Sequence, residues 1–430
     1  MTQSMYSDRV FLFLQGPHGP FFAQLSGMLQ RAGAQTWRVG FNAGDAAFWK
    51  DKSHFIAYRD RIEDWPNAFD MLVNDKGVTD IVLYGDTRPI HEAAVAQAQA
   101  RGLTVHVFEE GYLRPWWVTY EHGGTNGNSP LMSMTVDEMA RALDHVQSDT
   151  IVPPGHWGDI RHHMLYGALY HWFVMFRNGR FANFTPHRNI SVSREFRLHF
   201  KRFLRIPLSS LQRVLATSKI RLGGFPYHLA LLQLEHDSAF QKHSPFADLT
   251  EFLDVVMQSF AKGAPQHHHL VIKAHPLEDG RTPLRQNARA LAKKYGLEDR
   301  VHFLGGGKLA QLLDDAKSAI TVNSTAGQQA LWRGIPLKAF GDAVYAKPEF
   351  ISQQSLTAFF ENAHRPNREA YQVYRRFLLQ TSQMPGGFYT ARGRRQLLRQ
   401  VVDVMLSAQD PYAVTSSKSA AYQQQLRLVK

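Results

Sequence analysis

Short apolar runs alternate with amphipathic stretches along most of the chain. The first run, Val10 to Leu14, has the length of a buried strand, and residues 21–32 after it carry apolar side chains at a helical spacing. Further runs lie at 36–41, 80–84 and 105–110. The alanine-rich stretch between the last two predicts a helix that Asp86 or Thr87 can cap. This strand–helix alternation predicts a doubly wound, parallel α/β sheet.

The alternation breaks near residue 151 and resumes in a second half. Strands are predicted there at 227–234, 270–273, 301–304 and 319–322. The predicted fold class is therefore α/β and GT-B-like, with two Rossmann-like domains facing a central cleft, the architecture of nucleotide-sugar glycosyltransferases.

Four regions follow from this pattern. We predict an N-terminal Rossmann-like acceptor domain at 1–150 and a basic, aromatic helical linker at 151–224. A C-terminal Rossmann-like nucleotide-sugar domain is predicted at 225–370, and C-terminal helices with a polar tail at 371–430. A chain of 430 residues is too long for one ordinary core, which also favours two domains.

Charge is distributed unevenly along the chain. The formal net charge is +12, and residues 156–224 contribute +10 of it because they hold twelve Lys or Arg and two acidic residues. The segment is also rich in aromatic side chains such as Tyr166, Trp172 and Phe176. Basic and aromatic residues together favour an anionic membrane surface, where each basic residue contributes about 1 kcal/mol. A partly buried linker is the structural alternative, and no recognisable module supports nucleic acid as a partner.

Several classes of protein are disfavoured by composition. No run reaches the roughly 18 apolar residues of a transmembrane helix, and the N-terminus lacks the features of a signal peptide. The absence of cysteine excludes disulfides and thiolate chemistry. We therefore expect a cytoplasmic protein.

The first candidate site follows the strand at 105–110. Glu109 and Glu110 end that apolar run, and ligands of open α/β sheets bind outside the carboxyl ends of the strands. Adjacent residues of a strand point to opposite faces, so one of the two carboxylates is expected in the cleft. A cleft glutamate can act as a general acid or base.

A second candidate site follows strands of the C-terminal half. Lys273 and His275 lie at the end of the strand in the run 270–276 and could neutralise a phosphate leaving group, while Pro276 fixes the turn. Residues 323–327 join a strand to a helix, and we expect Ser324 to cap that helix beside an anion site. A salt bridge and an ordinary helix start are the structural alternatives.

Two further sets complete the candidates. Asp237 follows the first strand of the second half and could serve as a nucleophile, although Asp-Ser is also a plain N-cap pair. Polar residues of the first half could bind acceptor or sugar; these are Gln15, His18, Arg114, Asn126 and Asn128. No metal-binding motif occurs, so we expect metal-independent transfer without a cofactor.

Several motifs together resemble the KpsS/LipB-type capsular polysaccharide β-Kdo transferases. The resemblance spans about 11 to 350 and rests on residues 11–17 (FLFLQGP), 41–45 (FNAGD), 109–115 (EEGYLRP), 124–129 (GTNGNS), 232–238 (LQLEHDS), 273–276 (KAHP) and 323–327 (NSTAG). It implies transfer of Kdo from CMP-Kdo to phosphatidylglycerol, which initiates the poly-Kdo lipid linker of a capsular polysaccharide. It also implies the capsule biosynthesis and export machinery as partners, and a peripheral location on the inner face of the bacterial inner membrane.

The resemblance implies roles for individual residues. Asp237 would attack the anomeric carbon in a retaining double displacement, and Glu110, with Glu109 as second choice, would act as acid/base. The donor-binding residues would be Gln233, Lys273, His275, Pro276, Asn323, Ser324, Thr325 and Gly327. An inverting, sialyltransferase-like CMP-sugar transferase and a non-catalytic capsule assembly or export scaffold remain the alternatives.

Overall fold

The computed structural model describes residues 6–144, 160–185, 193–194, 197, 211–212, 214–278, 280–407 and 410–412. The chain divides into two compact units. Unit 1 comprises Met1–Pro130, Arg141–Phe203 and Phe377–Lys430, and unit 2 comprises Leu131–Ala140 and Leu204–Arg376.

Unit 1 is a sheet covered by helices on both faces. Its strands are β1 (Val10–Phe13), β2 (Gln35–Gly40), β3 (Phe55–Ala57), β4 (Asp80–Tyr84), β5 (Thr104–Glu110), β6 (Trp117–His122) and β12 (Gln383–Pro385). Its helices are α1 (Phe21–Arg31), α2 (Ala43–Ala47), α3 (Trp65–Lys76), α4 (Pro89–Ala100), α6 (Ile160–Arg177) and α15 (Ala391–Leu406).

The described strands of unit 1 form a seven-stranded sheet in the order β12-β6-β5-β4-β1-β2-β3. The five strands from β5 to β3 are parallel, whereas β6 and β12 extend one edge by antiparallel pairing. One face packs Phe13 and Phe108 against Leu397 of α15, and the other packs Leu83 and Val107 into a separate core cluster. Because both faces are covered, every residue of β1 is buried.

Unit 2 repeats the design with a smaller sheet. Its strands are β7 (Tyr227–Leu231), β8 (His269–Lys273), β9 (Val301–Leu304), β10 (Ser318–Thr321) and β11 (Leu337–Ala339). Its helices are α7 (described over 214–222), α8 (Ser238–His243), α9 (Leu249–Gly263), α10 (Leu284–Lys294), α11 (Leu309–Asp314), α12 (Gly327–Trp332) and α13 (Leu356–Glu361). Helices α5 (Val136–Leu143) and α14 (Arg368–Gln380) cross the boundaries between the units.

All pairings in the sheet of unit 2 are parallel, in the order β11-β10-β7-β8-β9. The parallel strands of both units thus follow the Rossmann order, in which the chain starts in the middle, moves to one edge and then crosses to the other side. Two Rossmann-like units in one chain are the components of a GT-B-like fold, so the predicted fold class is confirmed. Ligands of such sheets bind where the strand order reverses, between β1 and β4 and between β7 and β10.

The predicted linker lies largely outside the described residues. Within it, α6 belongs to unit 1 and α7 to unit 2. At the other end of the chain, β12 and α15 belong to unit 1, and the polar tail from residue 413 lies outside the described residues.

Candidate active site

Two side-chain amides are hydrogen-bonded to each other at the strand-order reversal of unit 2. Gln233 follows β7 and Asn323 follows β10; the Gln233 amide donates to Asn323 Oδ1, and the Asn323 backbone N–H donates to Gln233 Oε1 at 3.3 Å. The Asn323 amide in turn donates to the carbonyls of Ala239 and His243 at 2.8 and 3.2 Å. These bonds fix the two loops that border the position where a Rossmann-like unit binds its ligand.

Lys273 and His275 lie on the neighbouring strand at the same edge. The pairing of β7 with β8 places Lys273 beside Leu231, so the residues after both strands leave the sheet together. The Lys273 side chain is buried, and its Nζ donates to the Ala274 carbonyl at 3.4 Å. His275 is half-buried, its Nδ1 accepts the Leu277 backbone N–H at 3.1 Å, and the adjacent Pro276 is exposed.

The loop at 323–327 differs from its expected form. Helix α12 begins at Gly327 with Ala326 as N-cap and no side-chain cap, so Ser324 does not cap it. The Ser324 hydroxyl instead accepts the Ala326 N–H at 3.3 Å, within a tight turn, while Thr325 is half-buried. The expectation of a capping Ser324 was wrong because the N-cap lies two residues later, at Ala326.

Gly327 is required by packing inside unit 2. A Cβ at this position would lie 2.8 Å from the Tyr345 hydroxyl and 3.0 Å from Leu337 Cδ2. The same Tyr345 hydroxyl donates to the Ser324 carbonyl at 2.6 Å, and burial raises the pKa of Tyr345 far above its ordinary value. The Tyr345 hydroxyl is therefore a neutral donor in a fixed position, and its hydrogen bond holds the loop at 323–327 in place.

Asp237 is an exposed residue between β7 and α8. It is the N-cap of α8, but its carboxylate makes no capping hydrogen bond. The nearby Glu235 has the structural role: its carboxylate accepts the Leu249 N–H at 3.0 Å and the Thr282 hydroxyl at 2.8 Å. Helix capping, the structural alternative for Asp237, therefore does not explain the role of its carboxylate.

In unit 1, the two adjacent glutamates lie on opposite faces of the sheet. Tyr84 pairs with Phe108 across β4 and β5, so Glu110, two residues further along, shares the face of Tyr84. The Tyr84 hydroxyl donates to Glu110 Oε1 at 3.5 Å. Glu109 projects to the other face, where its Oε1 accepts the Glu110 backbone N–H at 2.9 Å.

Gln15 lies at the strand-order reversal of unit 1 within a buried polar network. Its amide donates to Asp45 Oδ2 at 3.1 Å, and its Oε1 accepts from Arg88 at 3.2 Å. Tyr170 of α6 also donates to Asp45, at 3.2 Å, and His18 stacks on the Tyr170 ring with centroids 4.4 Å apart. Helix α6 thus supplies part of the surroundings of both predicted residues.

The remaining predicted residues lie in the loops near β5 and β6. Arg114 is exposed, and its Nε donates to the Gly111 carbonyl at 3.3 Å. The backbone N–H of Asn126 donates to the Tyr112 hydroxyl at 2.7 Å, and the Asn128 amide donates to Asp86 at 3.0 Å.

Asp86 also accepts the Thr125 N–H, at 3.0 Å. It was expected, with Thr87 as the alternative, to cap the next helix, but the N-cap of α4 is Arg88, without a side-chain cap bond. That expectation was wrong because the carboxylate holds the loop at 125–128 instead.

Sequence reasoning missed several side chains around the candidate site of unit 1. Tyr84 ends a strand that the sequence predicted correctly, so its position beside the glutamates could have been inferred. Tyr170, His163 and Tyr389 are distant in sequence, and nothing in their local pattern connects them to residues 15 or 110. His163 stacks on Tyr389 with centroids 4.4 Å apart.

Comparison with known proteins identifies the family. A family model described as "capsule polysaccharide biosynthesis protein" matches residues 79–389. The chain belongs to this family. The capsule biosynthesis protein is 32% identical over 390 residues to the Escherichia coli "capsule polysaccharide export protein KpsS", covering 90% of this chain and 98% of the relative. It is 28% identical over 384 residues to the "capsule polysaccharide modification protein LipB" of Neisseria meningitidis serogroup B, covering 88% and 91%.

A solved structure is also similar to this capsule biosynthesis protein. It is KpsC of Thermosulfurimonas dismutans, described as a β-Kdo 2,7 transferase, with 12% identity and a TM-score of 0.41, covering 92% of this chain and all of that one. The membership of the KpsS and LipB family that the motifs indicated is confirmed by the sequence matches.

The described residues contain neither a membrane-spanning helix nor a metal-binding cluster. No helix among them is long and apolar enough to cross a membrane. No group of three or more His, Cys, Asp or Glu side chains in the described ranges is arranged to hold a metal ion. Metal-independent transfer stays a prediction.

Proposed function

We propose that this capsule biosynthesis protein is a retaining glycosyltransferase that moves Kdo from CMP-Kdo to phosphatidylglycerol. The observation that carries the proposal is a set of residues at the carboxyl edge of the sheet of unit 2. There the buried Lys273 ends the strand next to the hydrogen-bonded side chains of Gln233 and Asn323, and His275 follows this strand. A cation at that edge suits the phosphate of a nucleotide sugar. The names of the relatives place them in capsule export and modification, which agrees with a lipid-linked capsule substrate.

The proposed reaction has two displacements. In the first, the Asp237 carboxylate attacks the anomeric carbon of Kdo, the bond from that carbon to the phosphate oxygen breaks, and CMP leaves with the electron pair. In the second, the acceptor hydroxyl gives its proton to Glu110 while its oxygen attacks the anomeric carbon. The bond to Asp237 then breaks, which regenerates the carboxylate, and the proton passes from Glu110 to solvent.

Substitution of the nucleophile tests this scheme. Asp237→Ala is expected to lower lipid glycosylation at least about 10³-fold while CMP still binds. Asp299→Ala is the matched control, because Asp299 is also exposed but lies just before β9, at the opposite edge of the same sheet. NMR of the product should show that the anomeric configuration of the donor is kept. Full activity of Asp237→Ala, or an inverted product, would contradict the double displacement.

Helix α6 supports the proposed contact with an anionic membrane. One face is buried and includes Met164, His171 and Val174. Apolar side chains on another face are exposed at a helical spacing; these are Leu165, Leu169, Trp172 and Phe176. Exposed Arg161 and Arg177 lie near the two ends of the helix. Apolar and aromatic residues flanked by arginine are typical of helices that lie in the interface of an anionic bilayer.

Vesicle flotation tests this contact. The double substitution Leu169→Ser and Phe176→Ser should reduce binding to vesicles that contain phosphatidylglycerol. Met71→Ser is the control, because Met71 is 65% exposed on α3 of the same unit, outside the proposed surface. Binding of the wild type should also weaken with salt, because basic residues contribute to it. Equal binding to neutral and anionic vesicles, insensitive to salt, would contradict an electrostatic contribution.

A further inference from the structure

Two tyrosines from distant parts of the chain lie beside the Glu110 carboxylate, and a histidine ring stacks on one of them. Tyr84 ends β4, Tyr389 lies between β12 and α15, and His163 belongs to α6. The Tyr84 hydroxyl lies 3.5 Å from Glu110 Oε1, and the His163 ring stacks on Tyr389 at an interplanar angle of 15°. Strand alternation places the Glu109 side chain on the other face of the sheet.

The loop that carries Tyr389 is held firmly in unit 1. Strand β12 adds to the sheet edge by pairing with β6, and the chain turns at Gly386, whose φ of +140° suits glycine. The buried Arg394 guanidinium then donates to the carbonyls of Phe388 and Tyr389 at 3.3 and 2.5 Å. The Phe388 ring packs edge-on against Tyr84 with centroids 5.3 Å apart. A phenol placed by so many contacts is fixed before any substrate binds.

The two phenols are neutral donors. Burial raises the pKa of Tyr389 well above its ordinary value; the charge of Glu110, and less strongly that of Glu109, raises it further, and hydrogen bonding to Tyr84 lowers it. Burial likewise raises the pKa of Tyr84; Tyr389, Glu110 and Glu109 add to the effect, and Arg114 opposes it. Both hydroxyls therefore keep their protons at neutral pH and can direct them toward the carboxylate.

We propose that Tyr84 and Tyr389 are positioning residues that hold the Glu110 carboxylate for proton transfer and make Glu110, rather than Glu109, the acid/base. The inference rests on the proposed function, since it assigns the residue that takes the acceptor proton. The Tyr84 hydroxyl donates to Glu110 Oε1, and Tyr389 is hydrogen-bonded to the same carboxylate. Two such donors fix the orientation of a carboxylate and leave its remaining lone pairs for the acceptor hydroxyl. The Glu109 carboxylate instead accepts the backbone N–H of Glu110.

Kinetics provide the first test. Tyr84→Phe and Tyr389→Phe should each lower kcat about tenfold, as expected for one lost hydrogen bond to a charged group, with KM for CMP-Kdo changed less than twofold. In a Glu110→Gln background, neither change should lower the residual rate further, because the group that they position is absent. Tyr58→Phe is the control, since Tyr58 is a buried tyrosine of unit 1 whose hydroxyl donates to the Arg61 carbonyl. Wild-type kcat in Tyr389→Phe, or additive losses, would overturn the proposal.

A spectroscopic test requires no turnover, so it separates this inference from the proposed function. The Tyr389 ring carbon that bears the hydroxyl can be observed by NMR after ¹³C labelling and assigned by its loss in Tyr389→Phe. Its resonance should move clearly more in Glu110→Gln than in Glu109→Gln, because Glu110 is hydrogen-bonded to Tyr389 whereas Glu109 acts on it through charge alone. A resonance that moves only in Glu109→Gln, or in neither variant, would overturn the assignment. If the resonance moves as expected but the wild type transfers no Kdo, the proposed function has failed and the Tyr389–Glu110 interaction stands.

Discussion

His228 is a buried histidine whose surroundings make the stability of unit 2 depend on pH. It is 2% exposed at the amino end of the sheet, with Nδ1 2.8 Å from Ser318 Oγ and Nε2 3.0 Å from His268 Nδ1. Burial lowers its pKa to about 3, and the nearby charges of His268, Lys317 and Arg300 add to the effect. The folded protein therefore keeps this side chain neutral at a pH where the unfolded chain takes up a proton.

The size of the effect follows from proton linkage. The pKa of His228 is about 6.5 in the unfolded chain and about 3 in the folded protein. The unfolded state binds more protons below pH 6.5, so the free energy of unfolding falls as the pH drops from 6.5 toward 3. At pH 5 the unfolded side chain is almost fully protonated and the folded one is not, which lowers the free energy of unfolding by about 2 kcal/mol.

The assay is urea unfolding of the wild type and of His228→Asn at pH 7.5 and pH 5.0. Asparagine can still meet the Ser318 hydroxyl but does not titrate. The transition that the substitution shifts at pH 7.5 identifies the unfolding of unit 2. The wild type should lose about 2 kcal/mol more than the variant between the two pH values. Equal losses would refute the reasoning, because the variant removes the group that is held to cause the difference.

Three further predictions concern single side chains. Asp80→Asn should lower the free energy of unfolding, measured in urea, by about 3–5 kcal/mol, because it removes the buried carboxylate that neutralises the Arg9 guanidinium. A loss under 1 kcal/mol would contradict this. Gly327→Ala should cost about 1–3 kcal/mol, and Tyr345→Phe in the same chain should recover part of it by removing the clashing hydroxyl. Lys273→Met should weaken CMP binding by calorimetry more than tenfold. Lys347→Met, at an equally buried lysine that binds two backbone carbonyls, should leave CMP affinity within twofold; equal effects would remove Lys273 from the donor site.

Much of the fold could be predicted because the buried parallel strands are continuous apolar runs. The strand at 80–84 has the predicted bounds, and the first helix ends within one residue of its predicted end. Period-two alternation was also sufficient to place Glu109 and Glu110 on opposite faces. These features depend on residues that are close in sequence, so the local sequence pattern is sufficient to predict them.

The arrangement of the site depends on contacts that no local pattern contains. Tyr389 reaches Glu110 only because β12 pairs with β6, a contact between residues about 265 positions apart. Tyr170 similarly reaches Asp45 because α6 packs on α2. The expected cap at Ser324 was wrong because α12 begins at Gly327 with Ala326 as N-cap, and Ser324 is instead held by the Tyr345 hydroxyl, a contact between residues 21 positions apart.

A product assay tests the central claim most directly. Purified wild-type protein is incubated with CMP-Kdo generated in situ and a fluorescent phosphatidylglycerol, and the lipid is examined by mass spectrometry. We predict a mass gain of one Kdo on the lipid, with release of CMP, and neither in Asp237→Ala. A folded wild-type protein that binds CMP but neither releases it from CMP-Kdo nor modifies the lipid would contradict the claim and favour a non-catalytic role in capsule assembly or export.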